Sequence, residues 1–405
     1  MKIESLDVTT GNGVSIIDGN QIQIPFAAID DEVKVQITSI KDDNCTGEII
    51  EILKRGPKRA EPKCEYFGKC GGCQLQHLHY EEQLRFKEER LKNLFQVIQQ
   101  DYTKEKFDKL FQPIVPCSMT YGYRSKITPH FQKPIPNMPL NIGFLMRNKK
   151  KTMDIKSCVI SSKEINEEYT RVREKVLAER GKYKKGVSLI LRETVEKDGS
   201  INVLTNPTSL CNEIIDGKTF TFPVSSFFQV NREMIEKVIK FVIQEIGHGK
   251  VDYLLDCYSG PGLFALALAP YVQQVYSIEV APVSTFWGQM NAKQNFIYNL
   301  QILTGDSKEI FQFIPRRVNP KKTAVIIDPS RPGCTQDFID ALLKFQPKTI
   351  VYVSCNPETQ VRDVKSMISS KDYEITKIVP FDFFPQTLHL ESVVILERLP
   401  ENNSN

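Results

Sequence analysis

The run Ile350-Val-Tyr-Val-Ser-Cys355-Asn-Pro-Glu358 puts a cysteine at the end of an apolar, strand-like stretch, and His389-Leu-Glu391-Ser-Val-Val-Ile395 opens a second such stretch with a carboxylate. A thiolate is a strong nucleophile and a carboxylate suits a general base, so Cys355 and Glu391 could together form a covalent adduct and resolve it by removing a proton. Upstream, Leu254-Leu-Asp-Cys-Tyr-Ser-Gly260-Pro-Gly262 reads as a strand running into a glycine turn, with Gly260 and Gly262 placed to let backbone approach a nucleotide-type cofactor. Glu279 ends the next strand-like run about 20 residues on, where a carboxylate accepts hydrogen bonds from ribose hydroxyls. Asp328-Pro-Ser-Arg-Pro-Gly333 follows another apolar run. A separate group, Cys64-Glu-Tyr-Phe-Gly-Lys-Cys70-Gly-Gly-Cys73, has C-x5-C-x2-C spacing, with glycines that let backbone wrap a bound centre. A fourth thiolate would complete a set suited to an iron–sulfur cluster or to tetrahedral zinc.

These residues need strands and turns to carry them. Residues 1–57 contain short alternating runs, Val14 to Ile17, Gln21 to Ile24, Glu32 to Ile37 and Gly47 to Ile52, broken by turns such as Asp18-Gly-Asn20, which predicts a small all-β barrel. Residues 58–222 form a middle domain: the cysteine group, an amphipathic helix from Tyr80 to Gln99, then β-type runs, basic loops and proline-rich chain from Pro129 to Pro139. From residue 223 to 405 helix and strand alternate. Arg232 to Ile246 reads as a helix, and strands are predicted at Val251 to Leu255, Val275 to Ile278, Ala324 to Ile327, Thr349 to Val353, Ile375 to Phe381 and Val393 to Leu396. Such alternation implies a mostly parallel sheet with helices on both faces, so the fold class is multidomain, α/β with an all-β part.

At 405 residues, with 41% apolar and 25% charged, the chain can bury more than one core. The start Met1-Lys-Ile-Glu-Ser lacks an apolar leader pattern, and no window approaches the ~18 unbroken apolar residues of a membrane span. The expectation is a cytoplasmic protein with no membrane partner. Ten cysteines, three of them clustered, do not resemble a disulfide framework and point to metal binding or catalysis. The net charge of +4 says little, but its distribution says more: residues 1–50 carry three Lys against nine Asp or Glu, whereas Arg171 to Lys185 carries seven basic and two acidic side chains. Together with Lys54 to Arg59, Arg147 to Lys151 and Arg316-Arg317, that run favours a polyanionic partner for the middle and end of the chain. A polar tail runs from Glu401 to Asn405.

The order of these motifs, with Ser226-Phe-Phe-Gln-Val-Asn231 ahead of the glycine turn, closely resembles the RNA 5-methyluridine methyltransferases. The resemblance implies a Rossmann-like S-adenosylmethionine methyltransferase domain, with Gln229, Tyr258, Gly260, Gly262, Glu279, Asp306 and Asp328 around the donor and Phe227 against the target base. It makes Cys355 the nucleophile at carbon 6 of uracil, Glu391 the base that removes the proton from carbon 5, and His389 an orienting group. Leu263 departs from relatives that carry Asn after the second glycine. The first segment resembles the TRAM domain, an OB-like RNA-binding barrel, in Gly11-Asn-Gly-Val14 and its spacing to Pro57. By the same resemblance Cys158 joins Cys64, Cys70 and Cys73 around a [4Fe–4S] cluster in a central α+β domain. The implied partner is RNA: 23S rRNA as the main reading and uracil 54 of tRNA as the alternative, with the protein acting as a monomer. A cytosine-5 enzyme would carry Pro-Cys where this chain has Asp328-Pro-Ser330. A non-catalytic ribosome-assembly factor would not need both Cys355 and Glu391.

Overall fold

The computed structural model describes residues 1–41 and 44–400, so the polar tail lies outside the described residues. The chain forms two compact units whose segments interleave: residues 1–93, 118–191 and 384–389 in the first, and 94–117, 192–383 and 390 onward in the second.

In the first unit, β1 (Ser5–Leu6), β2 (Gly13–Ile17), β3 (Asn20–Ile24), β4 (Glu32–Lys41) and β5 (Asn44–Lys54) form one sheet in the order β1-β2-β3-β5-β4. Only β3 and β5 pair in parallel. The sheet closes because the N-terminal residues pair with the start of β4, Ile3 N donating to Asp31 O at 2.9 Å and Val33 N to Met1 O at 2.8 Å. The closure covers the start of β4, where a strand edge would otherwise be open to another chain. Ile3, Ile22, Ile24, Ala27 and Val33 fill the interior. Asp31, fully buried, accepts from Ala28 N, Gly56 N and the Arg59 guanidinium, which compensates the cost of burying its charge.

Helix α1 (Tyr80–Phe95) ends four residues before its expected limit, where the chain tightens into a 3-10 segment from Gln96 to Asp101. Its Gln83 exchanges hydrogen bonds with Gln386, while Lys87 donates to Phe384 O and Arg90 to Leu388 O, so the tongue 384–389 is anchored in this unit. Helix α2 (Lys163–Ala178) starts at Ser162, whose hydroxyl caps Ile165 N, and buries Tyr169 and Arg173.

In the second unit, α3 (Arg232–Ile246) has the bounds the periodicity predicts, capped by Asn231 and burying Met234, Ile235, Val238, Ile239, Val242, Ile243 and Ile246. A seven-stranded sheet follows: β6 (Tyr253–Cys257), β7 (Gln274–Glu279), β8 (Leu300–Thr304), β9 (Thr323–Ile327), β10 (Thr349–Ser354), β11 (Tyr373–Phe381) and β12 (Glu391–Arg398). The strand order is β8-β7-β6-β9-β10-β12-β11. Helices α4 (Leu263–Leu268), α5 (Pro282–Gln294), α6 (Gln336–Phe345) and α7 (Pro357–Ser369) lie in the connections.

Five strands are parallel, and β12 runs antiparallel between β10 and β11. Residues 382–390 between β11 and β12 are too few for a crossover of about a dozen residues, so the chain reverses direction. The start of β12 therefore lies at the same sheet edge as the ends of the parallel strands. The hairpin of Leu210–Ile215 and Lys218–Pro223, assigned from sequence to the middle domain, is held on α5 by Asn291 and Asn295, which bond Thr221 N and Thr219 N.

Candidate active site

In an open α/β sheet, ligands bind beyond the carboxyl ends of the strands where the strand order switches direction. Here that point lies between β6 and β9. After β6 the chain turns sharply: Tyr258, Gly260 and Gly262 have φ of 65°, 53° and 89°. A side chain at Gly262 would come within 2.4 Å of Leu266, whereas one at Gly260 would meet nothing within 4 Å. The first glycine thus faces open space and the second allows close packing of the turn on α4. Glu279 ends β7 and fixes the turn, one carboxylate oxygen accepting from Gly260 N at 3.0 Å and the other from Ala281 N at 2.8 Å. Asn291 of α5 donates to Pro261 O at 3.3 Å.

Tyr258 packs edge-on against Phe338 with ring centroids 5.4 Å apart, and burial raises its phenol pKa. Asp306 is exposed and caps the next turn, accepting from Lys308 N at 3.1 Å. The turn and the strand-end acid fit a nucleoside-bearing donor, with Gly260 leaving room for close approach.

Strand register brings the two reactive groups together. β10 and β12 pair Val353 with Val393 and Ser354 with Ser392, so one further step in the same antiparallel register sets Cys355 opposite Glu391. Asp328 follows β9, the neighbour of β10 on its other side. Glu391 is buried, 2% exposed, and its Oε2 has no hydrogen-bond partner among the described residues. Burial, and then the nearby charge of Asp328, raises its pKa well above the usual carboxylate range, with Arg331 acting in the opposite direction. Cys355 is half-buried, and burial followed by the charges of Glu391 and Asp328 pushes its thiol up to about 11, again opposed by Arg331. Asn356, next in the chain, is the N-cap of α7, where peptide N–H groups favour a thiolate. Asp328 is half-buried as a residue, yet burial of its carboxyl pushes it up to about 7.

The segment preceding α3 is fixed from beneath. Phe228 is buried and stacks on Phe222 with centroids 4.5 Å apart. Arg192, fully buried, donates to Ser226 O at 2.7 Å and Phe228 O at 3.3 Å. Between those two carbonyls Phe227 projects outward, 77% exposed, and Gln229 follows half-buried.

Sequence reasoning missed three groups. Asp256, wholly buried in β6, accepts from Ala265 N at 2.8 Å through one oxygen and has no hydrogen-bond partner for the other among the described residues; burial, then Asp328 and Glu279, push it up to about 8. Arg331 opposes the acidic groups around Cys355, and Arg192 holds the Phe227 segment. Arg331 and Asp256 stand in runs already quoted for other residues, and Arg192 carries no spacing signal. His389 is exposed, its ring edge-on to Phe384 in the first unit.

The cysteine group lies in the first unit. Cys64, Cys70 and Cys73 are all raised by burial, Cys73 up to about 12, and each also feels Cys158. The four thiols are therefore neighbours. No set of three or more His, Cys, Asp or Glu among the described residues is drawn together closely enough to hold a metal ion. No helix among the described residues is long and apolar enough to cross a membrane.

A glycine turn and a strand-end acid at the carboxyl edge of a sheet of this order fit a methyltransferase fold, and a thiol opposite a carboxylate lies at the same edge. Residues 139–399 match the family model described as tRNA (Uracil-5-)-methyltransferase, and the chain belongs to that family. It is 34% identical to the tRNA (uracil(54)-C(5))-methyltransferase of Schizosaccharomyces pombe, over 96% of this chain and 76% of that one. An uncharacterized RNA methyltransferase of Staphylococcus aureus is 32% identical over 95% of each chain. The crystal structure of the tRNA (uracil-54, C5)-methyltransferase of Pyrococcus abyssi in complex with S-adenosyl-L-homocysteine superposes with a TM-score of 0.72 at 25% identity, covering 98% of this chain and 99% of that one. The chain is thus an RNA uracil-C5 methyltransferase that uses S-adenosylmethionine. Its curated relatives favour the tRNA alternative over the 23S rRNA reading.

Proposed function

We propose that this enzyme methylates carbon 5 of uracil 54 in tRNA, with Cys355 as nucleophile and Glu391 as base. The observation that carries the roles is the β10–β12 register, which sets a thiol opposite a buried carboxylate at the sheet edge that also carries the glycine turn. The relatives that act on uracil 54 support the target. Carbon 5 of uracil is too weak a nucleophile to take a methyl group directly. Addition of the Cys355 thiolate at carbon 6 forms a C–S bond and moves the ring π-electrons into an enolate, which makes carbon 5 nucleophilic. S-adenosylmethionine supplies the methyl group as an electrophile. Glu391 then takes the proton from carbon 5, the C5–C6 double bond reforms, and the Cys355 sulfur leaves. A carboxylate whose pKa is raised by burial is a better base for that proton than one in water. Phe227, exposed between fixed carbonyls, suits stacking on an extruded base, and Gln229, Tyr258, Glu279, Asp306 and Asp328 are the residues that would hold the donor.

The residues of the first unit support two further assignments. Its five-stranded sheet, closed at the start of β4 by the N-terminal residues, is consistent with a TRAM-like RNA-binding module spanning 1–57. Four thiols that act on one another suit a [4Fe–4S] centre held by Cys64, Cys70, Cys73 and Cys158. All ten cysteines are unbridged, which supports a cytoplasmic setting. The target is tested by methyl transfer to a tRNA transcript beside the same transcript with cytidine at position 54 and beside 23S rRNA. Incorporation that persists without the uridine, or that occurs in rRNA alone, overturns the tRNA reading. Anaerobic purification should yield brown protein with about four iron atoms per chain. Stoichiometric zinc in colourless protein overturns the cluster.

A further inference from the structure

We infer that one polar stripe of α7, formed by Asn356, Thr359, Arg362 and Asp363, is a positioning clamp that holds the Arg331 loop against the Cys355 thiol; this rests on the nucleophile reading above. Residues 330–334 form a turn closed by Gly333 N donating to Ser330 O at 2.9 Å, and four backbone groups of the loop, the carbonyls of Arg331, Pro332 and Cys334 and the N–H of Cys334, are held from α7 and its cap. The Arg331 carbonyl accepts from Asn356 Nδ2 and Thr359 Oγ1, both at 3.0 Å. The Arg362 guanidinium donates to Pro332 O at 2.9 Å and Cys334 O at 3.2 Å. Cys334 N donates to Asp363 Oδ2 at 2.7 Å, and that oxygen also accepts from Tyr352 Oη of β10 at 2.6 Å. Gly333, with φ of 79°, lies so close that an added side chain would come within 2.6 Å of Asp363.

Asp363 is 2% exposed. A buried carboxylate is costly unless its oxygens are satisfied, and it makes this arrangement stiff once they are. Positions 356, 359 and 363 recur at helical spacing on one face, and the helix they belong to begins immediately after Cys355. Loop and thiol are thus fixed to the same rigid element. Facing Cys355 are the acidic groups Glu391 and Asp328 and the basic group Arg331, so among the charged side chains around the thiol Arg331 favours the thiolate, beside the backbone N–H groups. Its backbone is anchored by the residue adjacent to the nucleophile. Without the clamp the loop backbone would be free to carry Arg331 away from the sulfur, and its field there would be averaged and screened.

The test is the rate of Cys355 alkylation by iodoacetamide in the intact protein, resolved by peptide mass spectrometry because the chain has ten cysteines. Arg331→Met should raise the apparent thiol pKa and slow alkylation at about pH 7.5, since the thiolate fraction falls about tenfold for each pH unit by which the pKa rises. Thr359→Val and Asp363→Asn should slow it about 2- to 10-fold on the same basis. Neither should add to the effect of Arg331→Met, since each acts through that side chain. S-adenosylmethionine affinity should be unchanged in both variants, which reports an intact fold. If Asp363→Asn does not fold, Thr359→Val, which loses one hydroxyl at a half-buried site, carries the test. Wild-type alkylation rates, or losses that multiply with Arg331→Met, overturn the clamp. Because alkylation needs no RNA, failure of the nucleophile assignment itself would appear separately, as an RNA adduct that survives Cys355→Ala.

Discussion

At the scale of single residues, Cys355 and Glu391 can be read from the sequence because each is a reactive group bordering an apolar run, and strand ends are where side chains meet ligands. Asp256 cannot, since an acid inside Leu254-Leu-Asp-Cys257 looks like a strand boundary until its full burial is seen. Arg173 misleads for the converse reason. It belongs to a basic run yet is buried, forking onto Asp154 at 2.9 and 3.0 Å. The environment of Cys355 has a kinetic consequence. With the thiol pushed up to about 11, the reactive thiolate is scarce near neutrality, and below that pKa its fraction grows tenfold per pH unit. Formation of the covalent complex with RNA containing 5-fluorouridine should therefore accelerate about tenfold per pH unit between about pH 6.5 and 9. Denaturing electrophoresis of timed samples measures this. A plateau beginning below about pH 8 would mean that the thiol is already ionised in the resting enzyme.

At the scale of elements, hydrophobic period locates six of the seven strands of the large sheet and gives both ends of α3, because a helix buried along one stripe and strands buried on both faces leave strong patterns; it misses β8, which is mostly exposed or half-buried. It does not reveal that β12 inserts antiparallel between β10 and β11. Pairing direction depends on connection length and sheet position, which a run of apolar residues does not encode. The parallel edge also gathers carboxyls with measurable thermodynamic effect. Asp256 and Asp328, pushed up to about 8 and about 7 in the folded chain, return to about 3.9 on unfolding. Between those limits the native state holds more protons than the unfolded chain, so stability falls as pH rises from about 4 to about 8. Asp256→Asn removes one of the two titrations. Thermal unfolding at about pH 5.5 and about pH 8.5 should show a smaller loss for the variant than for wild type. Parallel losses would show that Asp256 does not titrate in this window.

At the scale of the whole molecule, consecutive domains are the natural reading of a composition that changes near residues 57 and 222. The chain instead returns: residues 94–117 belong to the second unit and 384–389 to the first, exchanges that leave no trace in local pattern. Charge distribution is legible only in part. Within the basic run, Arg173 pairs with Asp154 and Arg180 donates to Ile135 O and Met138 O, while Lys175, Lys184 and Lys185 are exposed. Changing those three lysines to Gln should weaken binding to all RNAs and reduce the salt slope by about 0.7–0.9 per lost contact. An unchanged slope in filter binding would make the run a solvated face.

The central claim concerns the catalytic cycle, in which the thiol opens the reaction and the carboxylate closes it. It is tested most directly by denaturing electrophoresis of enzyme, RNA and a radiolabelled methyl donor, with Glu391→Gln and Cys355→Ala beside wild type. Glu391→Gln should add to the RNA, methylate once and stall, leaving a labelled protein–RNA band, while Cys355→Ala should give neither band nor product. A labelled band from Cys355→Ala, or near-normal turnover by Glu391→Gln, would contradict the account.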